Sequence, residues 1–134
     1  MKRIIVWSNT VYAVEYSADI ELDTGKVLYK TNEIIASKID ECFFIVPQIR
    51  MNIFKQTLNI LDKWQSLYGE KDSLCIDGYY WTIEIIGDSP REIKGFNAKP
   101  DNFVEFIISL ENLLQKNFSY KSLQDKTNYL YNWR

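Results

Sequence analysis

The chain has no histidine among its 134 residues, so any chemistry it does must rest on other groups. The absence removes Ser-His and Cys-His nucleophilic catalysis and histidine general-base chemistry. It also removes the usual zinc sets, because only Cys42 and Cys75 remain as soft ligands and they lie far apart in sequence. Two cysteines are too few for a disulfide scaffold, and they read as small buried hydrophobes. Carboxylates are left. Glu15, Asp19, Glu21 and Asp23 fall in residues 4–25, a stretch without Lys or Arg. Glu15, Asp19 and Glu21 share a parity. They are either an acidic patch that steers a basic partner or the solvated side of a strand. Glu15 and Glu84 could also approach across a sheet as a hydrolytic carboxylate pair. Lys94, Asn97 and Lys99 lie just ahead of a helix start and form a candidate anion site. No G-x-G-x-x-G or Walker pattern is present, and neither a cofactor nor a metal is expected.

The elements that hold these residues are legible from hydrophobic period. Residues 11–22 alternate, with Val14, Tyr16, Ala18, Ile20 and Leu22 on one face and Glu15, Ser17, Asp19 and Glu21 on the other. Asp23-Thr24-Gly25 turns the chain, and 26–31 returns as a second strand. Residues 4–7 add a strand before them. Residues 32–46 read as a loop with a short helical turn or an extended piece. Residues 48–67 read as a helix starting after Pro47 and ending near Gly69, with Ile49, Ile53, Leu58, Ile60, Leu61, Trp64 and Leu67 as its apolar stripe. Residues 73–76 and 79–86 flank Asp77-Gly78, a strong hairpin signal. Trp81, Ile83 and Ile85 face the core, and Tyr80, Thr82 and Glu84 face away. A strand over 91–96 and a helix over 101–116 follow, the helix burying Phe103, Phe106, Ile107, Leu110, Leu113 and Leu114.

These elements predict one α+β domain over 1–116. It is an antiparallel sheet of about five or six strands with two helices packed on one face, in the order β-β-β-α-β-β-β-α. The other sheet face is left partly polar and open to a partner. Residues 117–134 carry Phe118, Tyr120, Tyr129, Tyr131 and Trp133, too aromatic for a free tail. They are expected to pack on the domain or on a second copy, with Tyr129, Tyr131 and Trp133 on one side of an extended segment.

Residues 77–85 read D-G-x-x-W-x-I-x-I, and residues 95–103 read G-x-N-x-x-P-x-N-F. The pairing resembles a pattern in small uncharacterised bacterial proteins, some of them associated with toxin immunity or phage defence, over about residues 73–114. The resemblance implies a shared fold segment and no catalytic residues. Read structurally, Gly95 permits a close approach, Asn97 ties a turn, and Pro100 presets a helix start.

Composition narrows the function classes. Aromatics are 15% of the chain, the net charge is −2, and no basic run occurs. Nucleic-acid binding lacks its basic footprint. The apolar stretch Ile4–Trp7 is too short for a signal peptide, and no run reaches membrane-spanning length, so a cytoplasmic location is expected. The resulting expectation is a non-enzymatic protein-binding module, an immunity or inhibitor protein for a toxin or defence enzyme. Its contacts would be Glu15, Asp19, Glu21, Tyr80, Glu84, Tyr129, Tyr131 and Trp133. The alternatives are a small-ligand or nucleotide-sequestering protein and a carboxylate-dependent enzyme.

Overall fold

A computed structural model describes residues 1–9, 14–69, 79–116 and 118. Among these residues, seven strands form one mixed sheet in the order β4-β3-β2-β1-β6-β7-β5. They are β1 (Arg3–Asn9), β2 (Val14–Glu21), β3 (Lys26–Glu33), β4 (Lys38–Ile45), β5 (Leu67–Gly69), β6 (Tyr80–Ile86) and β7 (Arg91–Phe96). All neighbours are antiparallel except β5 and β7, which run parallel. Helices α1 (Gln48–Thr57) and α2 (Phe103–Leu114) supply the second layer, and a 3-10 helix, Leu58–Lys63, continues α1. The class is α+β, as the sequence predicts, but the sheet is larger and is not purely antiparallel.

The core is built from the alternation read in the sequence. Ile4 and Val6 of β1, Ala18 and Ile20 of β2, and Trp81, Ile83 and Ile85 of β6 are all buried on one sheet face. Phe103, Phe106, Ile107, Leu110, Leu113 and Leu114 of α2 are buried with them. Strand β1 sits at the centre, between β2 and β6. An alternating strand flanked on both sides in this way places one residue of every pair in the core and the next on the open face.

Three expectations need correction. Of the two readings of residues 32–46, the extended one holds and the helical turn does not: they complete β3, turn at Ile34–Ser37 and form β4. The turn hides because it carries two isoleucines and no Gly or Pro, and Ser37 takes the left-handed conformation at φ 52°. Helix α1 is buried through Met51 and Phe54, continued by Leu58 and Leu61, whereas Ile49 and Ile53 are exposed. Both sets satisfy helical spacing, and the sheet selects the one that includes the larger Phe54 ring. The helix also stops earlier than predicted, and Leu67 and Gly69 belong to β5. Its end is fixed from a distance. The Arg91 guanidinium donates from Nη1 to the carbonyl of Leu61 (2.7 Å) and from Nη2 to that of Trp64. The Leu61 carbonyl also accepts the Trp64 N–H (3.1 Å), and Trp64 is the extended residue that ends the helical run. No residue near 61–67 in sequence announces that cap.

The predicted strand over 73–76 and its Asp77-Gly78 turn lie outside the described residues, as do Cys75, Tyr129, Tyr131 and Trp133. Phe118 is the described residue of the predicted 117–134 extension. It is fully buried, its N–H donates to Glu111 Oε2 (2.6 Å), and its ring lies 5.7 Å from that of Tyr16.

Candidate functional site

The strand register assigns every open-face residue to a row. One row crosses the sheet as Phe43, Leu28, Asp19, Ile5, Glu84 and Glu92. The next is Glu41, Lys30, Ser17, Trp7, Thr82 and Lys94. Glu15 pairs with Asn9 and Asn32, and Tyr80 pairs with Phe96. Open-face carboxylates outnumber cations by six to four, counting Glu15, Asp19, Glu21, Glu41, Glu84 and Glu92 against Arg3, Lys26, Lys30 and Lys94.

Glu15, Asp19, Glu21, Tyr80 and Glu84 therefore do share the face that the helices leave uncovered among the described residues. The hydrolytic pair is not assembled as expected. Glu84 is level with Asp19, not with Glu15, which lies four residues further along β2, about 13 Å away. Asp19 is itself engaged: Arg3 Nε donates to Oδ1 (2.6 Å) and Nη2 donates to Oδ2. That bidentate bond raises the Arg3 pKa, and the Asp19 charge reinforces it. Glu21 accepts from Thr24 Oγ1 (2.8 Å), and Asn32 Nδ2 donates to Glu15 at 3.5 Å. The acidic strand β2 is thus a partly compensated surface, and Glu84, on β6, stands exposed.

The anion-site expectation fares differently. Lys94 points to the open face and ion-pairs with Glu92 (2.9 Å). Asn97, at φ 56°, accepts at Oδ1 from the N–H of Tyr79 (2.8 Å) and donates its own N–H to the Tyr79 carbonyl (2.9 Å). Asn102 at the N-terminus of α2 accepts from Trp64 Nε1 (2.7 Å) and makes no side-chain cap. Lys99 is exposed. Lys94 and Asn97 are thus engaged within the protein. The segment is locked: the Trp81 indole lies over Gly95, donates to the Ala98 carbonyl (3.0 Å), and packs on Phe103 with ring centroids 4.6 Å apart. The described part of the D-G-x-x-W and G-x-N-x-x-P-x-N-F pattern is a structural clasp around Trp81.

Sequence reasoning gave β3 but left β4 undecided, and with it the β3–β4 hairpin. Ile34, Ile35, Ile39, Phe43 and Ile45 are all exposed, at 50%, 85%, 59%, 77% and 69%. They are half of the ten exposed large hydrophobics among the described residues. Ile39, Phe43 and Ile45 project to the open face of β4, inverting the usual rule that apolar residues face the helices. The signal was present as alternation in Ile39-Asp40-Glu41-Cys42-Phe43-Phe44-Ile45, but Phe44 opposes Val27 on the core side and blurs it. Beside this hairpin lies an open hollow of about 530 Å3, lined by Arg3, Asp19, Glu21, Lys26, Leu28, Phe43 and Ile45 together with Val27 and Phe44. A second groove of about 430 Å3 runs between α1 and α2, past Ile53 and Ile108.

Compared with protein-family models, curated proteins and solved structures, the chain matches none of them. No helix among the described residues is long and apolar enough to cross a membrane.

Proposed function

We propose that this chain is a non-catalytic protein-binding module that holds a partner against the open face of its sheet. The observation that carries the reading is the concentration of exposed apolar side chains on β3–β4, beside a charged hollow. Large apolar side chains left in water in one contiguous strip mark interaction surfaces. Here Phe43 and Ile45 flank Leu28, with Arg3, Asp19, Glu21 and Lys26 around them, an apolar centre with a polar rim. The excess of carboxylates on the same face favours a partner with a basic contact surface. The resemblance of residues 73–114 to immunity- and defence-associated proteins supports a toxin or defence enzyme as that partner, inhibited by stoichiometric binding.

The test compares two faces of the full-length chain. A tagged chain expressed in its native host is expected to retain one partner in stoichiometric amount. Leu28→Lys with Glu84→Lys, on the sheet face, should abolish that retention. Ile53→Lys with Ile108→Lys, on the helix side, should leave it intact. Loss with the helix pair alone, or no stoichiometric partner at all, contradicts the proposal.

A further inference from the structure

We infer that the outer edge of β4, which no strand among the described residues covers, pairs antiparallel with β4 of a second copy, about a two-fold axis at Cys42. The two edges of this sheet are built differently. Strand β5 closes one with three residues. Strand β4 leaves eight residues along the other, and every large apolar side chain on its open-face side is exposed. Short edge strands are a standard protection against pairing, and a long apolar edge invites it.

The direction of the backbone groups fixes what the edge offers. The Val46 N–H donates to the Gly25 carbonyl (2.8 Å), so Val46 points into the sheet. By alternation Phe44 and Cys42 also point toward β3, and Ile39, Glu41, Phe43 and Ile45 point their N–H and C=O groups outward. Two copies can align only in registers that keep sheet faces matched. With Cys42 opposite Cys42, Ile39 falls opposite Ile45 of the second copy and Glu41 opposite Phe43. Every outward N–H and C=O from Ile39 to Ile45 then has a partner, and the exposed isoleucines cover each other. Charges agree with this register. Asp40 falls opposite Phe44 and Lys38 opposite Val46, and Glu41 keeps its ion pair with Lys30 (3.6 Å) while standing diagonal to its copy. Centring on Glu41 or on Asp40 would set carboxylate directly against carboxylate, which destabilises a pair. The interface is isologous and closes at two copies. It uses the edge of β4, whereas the proposed function uses the face, so either can hold without the other.

Cys42 is a half-buried free thiol, and in this register it occupies a non-hydrogen-bonded site, where opposed side chains come closest. Full-length protein should sediment at twice its 15.9 kDa mass. Mild oxidation with diamide should give a covalent dimer whose disulfide maps by peptide mass spectrometry to Cys42–Cys42. Ile39→Lys with Ile45→Lys changes only exposed side chains and sets lysine opposite lysine, so it should return the protein to a monomer with unaltered circular dichroism. A monomer at all accessible concentrations would overturn the inference. So would a dimer that survives the double lysine variant, or one whose only intermolecular disulfide maps elsewhere.

Discussion

Gly95→Ala tests the clasp around Trp81 through the sign of a coupling. Gly95 lies directly opposite Trp81 in the β6–β7 register, and its φ is not positive, so an alanine there meets no backbone strain. In an ordinary strand the change would gain about 0.5–1 kcal/mol. Here the new methyl would lie 2.0 Å from Trp81 Nε1 and 2.1 Å from Cε2. The indole cannot easily yield. It is 1% exposed, packs against Trp64, Tyr68 and Phe103, and is held by its bond to Ala98. Overpacking of a rigid core site costs about 1–3 kcal/mol, which outweighs the strand gain. Trp81→Ala alone should cost about 3–5 kcal/mol, as for truncation of any buried Trp. In that background the methyl projects into vacated space, so Gly95→Ala should become neutral or stabilising. The coupling between the two sites is therefore expected at roughly 1–3 kcal/mol. Urea denaturation of the four proteins measures it, with m held constant across the set. Trp81→Leu offers a milder background. An equal cost of Gly95→Ala with and without the indole would show that the close approach is not what requires glycine.

Arg91→Gln should lower stability by roughly 1.5–3 kcal/mol, since the charged bonds to the Leu61 and Trp64 carbonyls are lost, and Arg91→Lys should recover only part of it. Denaturant midpoints check this, and a neutral Arg91→Gln would remove the distant cap from the explanation of where the helix ends. Burial pushes the Tyr29 phenol well above its ordinary pKa, with Tyr16 and Glu111 adding to the effect. The neutral form is thus favoured in the folded state. The stability this gives is fully present below the unfolded pKa of about 10 and is lost as pH rises toward the folded value. The denaturation midpoint should accordingly fall above about pH 10, and Tyr29→Phe should flatten that fall; identical alkaline profiles for the two proteins would refute the assignment.

What the sequence made legible was what short-range period controls. The strands β1, β2, β6 and β7 and the buried stripe of α2 follow from alternation and helical spacing, and the helices lie on one sheet face as that patterning requires. The features that escaped depend on contacts distant in sequence. The end of the α1 run is set by Arg91, some thirty residues away. The face buried by α1 depends on the sheet beneath it, which chose Met51 and Phe54 over Ile49 and Ile53. Strand β4 was obscured because its apolar residues appear on both faces, Phe44 toward the core and Ile39, Phe43 and Ile45 toward solvent. At the candidate site, alternation placed Glu15, Asp19, Glu21, Tyr80 and Glu84 on the open sheet face, but only the register could show which are level and that Arg3 engages Asp19.

The claim that the sheet face is the binding surface is tested most directly by hydroxyl-radical footprinting of the full-length chain, alone and in its purified stoichiometric complex. Phe43, Leu28 and Trp7 report on the sheet face, and Ile49, Ile53 and Ile108 report on the helix side. Protection of the first group with unchanged oxidation of the second is the predicted result. Protection confined to Ile49, Ile53 and Ile108 would place the partner on the helices and contradict the proposed function.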